Sequence, residues 1–224
     1  MPYVSRWIDG AETGLPAGKV ICIGRNYAAH ARELNNPIPS EPILFLKPKT
    51  ALVDFEQPII LPQGQGACHH EAEIAVLISQ RGHKIAPQNV PEIIGGYGVG
   101  LDLTLRDLQS RLKEKGHPWE VAKSFDGACP ISTFIKDIEI EAPATLGVTL
   151  EVNGVVRQKG DVEQMLYPIH EQIAYMSGFF TLEPGDIVMT GTPAGVAALN
   201  SGDSLTLSLY HEGRSELVTQ TSIA

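Results

Sequence analysis

Glycine and proline interrupt this sequence at short intervals along its whole length. Among 224 residues there are 22 Gly and 16 Pro, spread through the chain rather than gathered in one tract. Because both residue types favour turns and disfavour the interior of helices and strands, the segments between them are predicted to be short strands with a few helices. The sequence shows no internal repeat of solenoid or propeller period. This pattern favours an α+β or mainly β fold over a regular alternation of parallel strands and helices.

Eight segments have the composition of strands and are bounded by turn residues. They span residues 20–24, 43–46, 71–78, 97–103, 147–152, 155–158, 186–190 and 204–210. Asn153 and Gly154 separate two of these segments, and an Asn-Gly pair predicts a hairpin with a type I′ turn.

Three helices are predicted between the strands. The first spans roughly residues 27–34. The second opens at Thr104, which is followed three residues later by Asp107 in a pattern that resembles a capping box. The third begins near Pro168, a residue type favoured in the first turn. The apolar positions of this third helix lie along one side: Ile169, Ile173 and Met176.

Composition and charge exclude several classes of partner. Apolar residues make up 43% and charged residues 19% of the chain, as in soluble globular proteins. The formal net charge of -9 would repel phosphate backbones and anionic membrane surfaces, so neither nucleic acid nor a membrane is expected as a partner. The start of the sequence holds no basic region followed by an apolar block, and no apolar run is long enough to cross a bilayer. A cytoplasmic protein is therefore expected.

Several familiar motifs are absent from the sequence. The three cysteines, Cys22, Cys68 and Cys129, form no CxxC pair, so we predict small buried residues rather than disulfides or a zinc site. The glycine cluster at residues 95–100 does not complete GxGxxG, and we interpret it as a strand that another segment approaches closely. The P-loop, HExxH and GxSxG motifs are also missing from the sequence. The chemistry must depend on other residues.

Three acidic residues form a candidate metal site. Glu71 and Glu73 share one face of a predicted strand, because side chains alternate along a strand. Asp102 lies in an otherwise apolar stretch, where a charge is unfavourable unless a cation or hydrogen bonds compensate it. Three carboxylates form an all-oxygen ligand set that suits Mg²⁺ or Mn²⁺ better than zinc. The alternative is a strand end with two solvated glutamates, and the neighbouring His69 and His70 are either partners of the glutamates or simply packed.

A second candidate group lies on the first predicted helix. His30 and Glu33 are three residues apart and are therefore neighbours on one helical face. An imidazole oriented by a carboxylate can act as a general base. An ordinary surface contact is the alternative, and the spacing by itself does not decide between the two.

Six motifs resemble, in order and spacing, those of the fumarylacetoacetate hydrolase superfamily. They are GRNYxxH from Gly24, FLKP from Phe45, HExE from His70, GxDxTxRDxQ from Gly100, AKSFD from Ala122 and TGTPxGV from Thr190. The resemblance runs from about Lys19 to near the C-terminus and is to the short acylpyruvase branch with its oxaloacetate-handling relatives. It implies an N-terminal extension at residues 1–18 and a single catalytic domain at residues 19–224. It also implies a mixed β-sandwich roll and a homodimer.

The resemblance also assigns roles to individual residues. The implied ligands of the divalent metal, Mg²⁺ or Mn²⁺, are Glu71, Glu73 and Asp102. The implied catalytic residues are His30 and Glu33, which activate water from a helix that closes as a lid, and Lys123, which stabilises negative charge. The implied substrate-binding residues are Arg106, Gln109, Lys123 and Thr192. For Arg25 and Lys47, a structural ion pair and a contact with substrate both remain open.

The function implied first is a metal-dependent hydrolase that cleaves the carbon-carbon bond of acylpyruvates, such as fumarylpyruvate or acetylpyruvate. The products would be pyruvate, which leaves as a metal-stabilised enolate, and a carboxylic acid. The alternative is an oxaloacetate tautomerase or decarboxylase, or an isomerase of a 2-hydroxy-diene diacid, which uses the same enolate chemistry. A third hypothesis is a noncatalytic protein that binds a metal or metabolite, and the presence of all the main motif positions disfavours it.

Overall fold

The computed structural model describes residues 2–140 and 142–224, which form fifteen strands, four α-helices and five short 3-10 helices. The strands are β1 (Val20–Gly24), β2 (Ile43–Lys47), β3 (Leu52–Asp54), β4 (Cys68–His70), β5 (Ala72–Ile78), β6 (Ile94–Leu101), β7 (Thr104–Leu105), β8 (Cys129–Ile131), β9 (Ile135–Lys136), β10 (Leu146–Val152), β11 (Val155–Asp161), β12 (Ile187–Met189), β13 (Ala197–Ala198), β14 (Ser204–His211) and β15 (Arg214–Ser222). The α-helices are α1 (Ala28–Glu33), α2 (Arg106–Glu114), α3 (Glu120–Lys123) and α4 (Ile169–Phe179). The 3-10 helices span Lys49–Ala51, Pro87–Ile93, Asp137–Glu139, Pro143–Thr145 and Val162–Gln164.

The largest sheet has eight strands and positions the acidic residues of the candidate metal site. Its order is β2-β1-β12-β5-β6-β8-β3, and β9 pairs with β6. Strand β5 lies in the middle of this sheet, and all seven of its residues are buried. Strands that are covered on both faces are usually apolar throughout. The sequence of β5 follows this rule except at Glu73.

A second sheet packs against the first and completes the core. Its order is β11-β10-β14-β15, and a third, small sheet has the order β13-β4-β7. The buried residues of β14 are Leu205, Leu207 and Leu209, and they belong to the same apolar cluster as Ile74 and Val76 of β5. The core therefore lies between sheets, as in a sandwich. The architecture confirms the predicted mainly β, α+β fold.

All eight predicted strands occur, although several of their bounds differ. The strand predicted at 97–103 is β6, which ends at Leu101, so Asp102 follows the strand instead of lying within it. The predicted hairpin is confirmed, because Asn153 and Gly154 have φ angles of 54° and 73° and β10 pairs with β11 across them. The other strands lack a clear pattern in the sequence, and β15, an edge strand, is mostly polar and exposed.

The predicted capping box at the second helix is wrong. Thr104 belongs to β7, where it pairs with β4, and its hydroxyl donates to the Asp102 carbonyl oxygen at 3.0 Å. The Asp107 carboxylate accepts a hydrogen bond from the Ala67 N–H at 3.3 Å instead of capping the helix. Helix α2 therefore begins at Arg106. The other two predicted helices occur as α1 and α4, and α3 was not predicted.

The glycine cluster of β6 is confirmed as a closely approached strand. A Cβ atom at Gly96 would lie 2.3 Å from the Ile135 carbonyl oxygen, and one at Gly98 would lie 2.7 Å from the Thr133 carbonyl oxygen. Side chains at these positions would push away the neighbouring segment that pairs with β6 through β9. The three cysteines are buried and free, as predicted.

The segment before β1 lies against the large sheet. The Ile8 N–H donates to the Phe134 carbonyl oxygen at 2.9 Å, and the Phe134 N–H donates to the Arg6 carbonyl oxygen at 2.8 Å. The division into an extension and a catalytic domain at residue 19 stays a prediction. Among the described residues, none of the helices has the length and apolarity that a membrane span requires.

Candidate metal centre and cavity

The pairing of β5 with β6 brings the three predicted ligand carboxylates together. Glu73 lies opposite Gly100 in the antiparallel register, and the Asp102 N–H donates to the Glu71 carbonyl oxygen at 2.9 Å. The exposed fractions of Glu71, Glu73 and Asp102 are 5%, 1% and 1%. One carboxylate oxygen from each residue lies within 4.8 Å of the others, which is close enough for all three to contact one ion.

Two of the three carboxylates are paired with buried or partly buried cations. Lys123 Nζ donates to Glu71 Oε2 at 2.8 Å and to Asp102 Oδ2 at 2.5 Å. Arg106 Nη2 donates to Glu71 Oε1. Lys47 Nζ lies 2.8 Å from Asp102 Oδ1. Removing one partner of such a buried pair would leave the other charge uncompensated.

The surroundings shift the pKa values of the two buried glutamates in opposite directions. Burial works to raise the pKa of Glu71, but the charges of Lys123 and Arg106 outweigh burial and hold that pKa below its ordinary value. Burial raises the pKa of Glu73, and the two neighbouring carboxylates raise it further. Glu73 has no lysine or arginine partner in the described chain, and its Oε2 accepts one hydrogen bond, from the Gly191 N–H at 2.7 Å.

This set of donors fits a small divalent cation. All three residues offer hard carboxylate oxygens, which Mg²⁺ and Mn²⁺ prefer. Among the described residues Glu73 is buried without a compensating cation, whereas Asp102 is already paired with Lys47 and Lys123. A divalent cation at this point would offset the cost of burying the Glu73 charge.

Lys47 is a structural ion-pair residue and not part of the cavity wall. Its side chain is fully buried, and its Nζ donates to the carbonyl oxygens of Ala128, at 3.1 Å, and of Lys123. Burial works to lower the pKa of Lys47, but the charge of Asp102 outweighs burial and raises it. Lys47 therefore stays charged and holds Asp102 and α3 in place.

His30 and Glu33 are close together, as predicted, on helix α1. His30 is 4% exposed, and its Nδ1 lies 3.5 Å from Glu33 Oε2. Burial lowers the pKa of His30 below its usual value, which favours the neutral imidazole. The Glu33 carboxylate also accepts hydrogen bonds from the Gly195 N–H at 3.0 and 3.1 Å.

A cavity of about 110 Å³ adjoins the carboxylates. Its wall includes every predicted site residue except Glu33, namely Glu71, Glu73, Asp102, His30, Lys123, Arg106, Gln109 and Thr192. Arg106 Nη1 donates to Gln109 Oε1 at 2.7 Å, so these two side chains are oriented together. Phe45 and Trp119 supply an apolar part of the wall, with ring centroids 6.2 Å apart.

The Thr192 hydroxyl has no proton left for a ligand. It donates its proton to the Ala72 carbonyl oxygen at 2.8 Å and accepts a hydrogen bond from Gln158 Nε2 at 2.7 Å. A hydroxyl has a single proton to donate. Thr192 therefore offers the cavity an oxygen acceptor and its backbone rather than a hydroxyl donor.

Sequence reasoning missed Gln158, which organises this side of the site. Its Oε1 accepts a hydrogen bond from the Ala72 N–H at 3.0 Å and lies 2.8 Å from His70 Nδ1. His70 is thus a packed residue, and neither it nor His69 lines the cavity. Gln158 is buried on the edge strand β11, next to three exposed residues, so no sequence pattern indicates its position. Sequence reasoning also missed Lys113, which lines the cavity together with Arg25.

The chain belongs to the fumarylacetoacetate hydrolase family, since the model of the fumarylacetoacetate hydrolase C-terminal domain matches residues 19–221. An oxaloacetate tautomerase of Escherichia coli (strain K12) is 49% identical over 200 residues, which cover 89% of this chain and 91% of that protein. The fumarylpyruvate hydrolase of Pseudomonas aeruginosa, solved in complex with Mn²⁺ and pyruvate, has a TM-score of 0.90 at 37% identity, covering 100% of this chain and 97% of that chain. The 5-carboxymethyl-2-hydroxymuconate delta-isomerase of Mycobacterium smegmatis has a TM-score of 0.80 at 34% identity, covering 94% of this chain and 80% of that chain. The family is one of enzymes, and these relatives include a tautomerase, a hydrolase and an isomerase.

Proposed function

We propose that this protein is a divalent-metal-dependent oxaloacetate tautomerase, which moves a proton between C3 and the C2 oxygen. The sequence motifs favoured an acylpyruvate hydrolase, and the tautomerase was the alternative. The 49% identity to an oxaloacetate tautomerase, over nine-tenths of both chains, reverses that order.

The observation that carries this proposal is that identity, and the small cavity beside the carboxylates is compatible with it. Its volume is about 110 Å³, and cavities of roughly 150 Å³ hold a molecule the size of benzene. Several hydrogen-bonding groups converge on this small volume, which is typical of a site for a small polar ligand.

The residues of the chain have separate tasks in this reaction. Mg²⁺ or Mn²⁺, held by Glu71, Glu73 and Asp102, would supply a Lewis acid that favours the enolate over the keto form. Lys123 and Arg106 add positive charge where negative charge develops on the keto acid oxygens.

His30 is the proposed proton carrier of the reaction. Its Nδ1 is directed to Glu33, which leaves Nε2 for the cavity. In the direction from keto to enol, the C3–H bond breaks, the proton passes to Nε2, and the same proton is returned to the C2 oxygen. A positioned base of this kind contributes roughly 10²- to 10⁴-fold to the rate.

A second candidate function is the metal-dependent hydrolysis of acylpyruvates. It is supported by the likeness to the fumarylpyruvate hydrolase bound to Mn²⁺ and pyruvate. In this reaction His30, with Glu33 beside it, would deprotonate a water molecule that attacks C4 of the diketo acid.

The test is an assay of metal-stripped protein with and without Mg²⁺, in which enol-oxaloacetate, fumarylpyruvate and acetylpyruvate are offered in parallel. For a tautomerase, enol absorbance of oxaloacetate should decay in a metal-dependent way without release of pyruvate. Faster release of pyruvate from the diketo acids would instead establish the hydrolase. No turnover of any of the three would favour the noncatalytic hypothesis. Glu56→Gln, which changes an exposed carboxylate, is the control and should behave as the wild type.

A further inference from the structure

Two cations reach the cavity without a carboxylate partner. Arg25 follows β1, Lys113 lies on α2, and both line the cavity together with Arg106. Within residues 2–140 and 142–224, no carboxylate oxygen lies within 4.0 Å of either charged group. Arg106 and Lys123, by contrast, are both paired with Glu71. The mouth of the cavity therefore has an excess of positive charge.

These positive charges lie close enough to repel one another. The pKa of Lys113 is below its usual value because of partial burial and the charges of Arg25 and Arg106, and burial also lowers the pKa of Arg25. Lys113 Nζ donates to Asn36 Oδ1 at 2.5 Å, but this oxygen is neutral and does not cancel the repulsion. A bound anion would cancel it.

The backbone holds Arg25 in a conformation that is unusual for its residue type. Its φ angle is 59°, in the left-handed region that is unfavourable for a residue with a side chain. The adjacent Asn26 is fully buried, and its Nδ2 donates to the carbonyl oxygens of Thr190, at 2.9 Å, and of Tyr167, at 3.1 Å. These contacts maintain the turn that presents Arg25 to the cavity. Backbone strain that the surrounding structure maintains is concentrated at functional sites in proteins.

We infer that Arg25 and Lys113 form a subsite for the distal carboxylate of the substrate, which is therefore a dicarboxylic 2-keto acid. This inference rests on the proposed function, in which the keto end of the substrate lies at the metal centre. The Arg25 guanidinium offers paired donors that match a carboxylate, and Lys113 adds a second positive charge. A neutral acetyl group in place of this carboxylate, as in acetylpyruvate, would leave both cations without an anionic partner, so acetylpyruvate should be a poor substrate.

The test compares two unreactive 2-hydroxy acids of the same carbon length on the Mg²⁺-loaded protein. L-malate has the distal carboxylate, and 2-hydroxybutyrate has a methyl group in its place. By calorimetry, Arg25→Gln and Lys113→Met should each weaken malate binding by roughly tenfold or more, because a charge-assisted hydrogen bond is lost. Neither variant should change 2-hydroxybutyrate binding by more than about twofold. The KM for oxaloacetate should rise in both variants, with a smaller change in kcat.

The control is Arg111→Gln, which removes an exposed positive charge from the same helix outside the cavity. It should leave malate binding unchanged, which separates a local contact from the general field of the helix. Malate binding that is equal in the wild type and in Lys113→Met, an exposed position where misfolding is not expected, would overturn the subsite. Equal binding of the two acids to the wild type would overturn it as well. If malate is preferred but oxaloacetate is not tautomerised, the proposed function fails and the subsite stands.

Discussion

Glu73 is a buried carboxylate whose surroundings supply negative rather than positive charge. Glu71 and Asp102 have lysine or arginine partners, whereas Glu73 accepts a single hydrogen bond from the Gly191 N–H. Because no lysine or arginine of the described chain pairs with it, Glu73 should contribute strongly to metal affinity.

The substitution Glu73→Gln should weaken Mn²⁺ binding by about tenfold or more, since a neutral amide replaces a charged ligand. Calorimetric titration of metal-stripped protein measures this change. Glu92→Gln, at an exposed position, is the matched control and should bind Mn²⁺ as the wild type does. Unchanged affinity in Glu73→Gln would contradict the proposed metal centre.

His30 determines how activity should depend on pH. Burial lowers its pKa, and the charges of Glu71 and Glu33 raise it in part. A general base must be neutral to accept a proton, so activity is lost as the pH falls through this pKa. Because the pKa lies below the usual value of about 6.5, activity should persist to a lower pH than an unperturbed histidine would allow.

The substitution Glu33→Gln should move the acid limb of kcat/KM to still lower pH. It removes a negative charge that raises the pKa of His30, and the weaker base should also lower the maximal rate. The pH-rate profile of oxaloacetate tautomerisation measures both effects, with the exposed Glu163→Gln as control. A limb that moved to higher pH would rule out this role for Glu33.

At the scale of structural elements, one side chain connects α1 to the loop after β12. Glu33 ends α1 and accepts hydrogen bonds from the Gly195 N–H. Gly195 has a φ angle of 104°, and a Cβ atom there would lie 1.9 Å from the Arg157 carbonyl oxygen of β11. Glycine is thus required for both the conformation of the loop and its approach to β11. The loop in turn holds α1 over the cavity.

Gly195→Ala should therefore lower the free energy of unfolding by more than a strained conformation alone would. Gly202 provides the comparison, because its φ angle is 87° but open space surrounds it. We expect a loss of about 1–2 kcal/mol in Gly202→Ala, from the left-handed conformation, and a clearly larger loss in Gly195→Ala. Urea unfolding measures both values, and equal losses would show that the close contact is unimportant.

At the scale of the whole molecule, the site is assembled from segments that are distant in sequence. Lys47 comes from β2, Glu73 from β5, Asp102 from the end of β6, Lys123 from α3 and Thr192 from the loop after β12. A metal bound at this point stabilises the folded chain, because the unfolded chain cannot bring these groups together.

Mn²⁺ at a hundred times its Kd should raise the free energy of unfolding by about 2.7 kcal/mol and raise the Tm. Thermal unfolding with and without Mn²⁺ measures the shift. Glu73→Gln should show a smaller shift at the same concentration of Mn²⁺. An identical Tm with and without the ion in the wild type would exclude binding to the folded protein at that concentration.

The homodimer and the cytoplasmic location, like the division of the chain at residue 19, stay predictions. Light scattering on the purified protein should give twice the chain mass of 24.2 kDa if the dimer forms. A mass equal to that of a single chain would contradict the homodimer.

Features that depend on neighbouring residues were predictable from the sequence. Spaced glycines and prolines predicted a strand-rich fold, Asn153 and Gly154 predicted the hairpin, and alternation placed Glu71 and Glu73 on one face of a strand. The ordered motifs indicated the family, which the match over residues 19–221 confirms. These features can be predicted from the sequence because turn formation and side-chain alternation each depend on only a few neighbouring residues.

Contacts between residues that are distant in sequence could be seen only in the folded structure. The register of β5 with β6 brings Asp102 to Glu71, and pairing of Thr104 with β4 replaces the predicted capping box. The motifs could not show whether Lys47 and Arg25 form structural ion pairs or contact the substrate. In the structure, Lys47 is buried in an ion pair, whereas Arg25 lines the cavity. The physical reason is that strand register and side-chain burial depend on packing between segments far apart in the chain, and a local pattern carries no information about that packing.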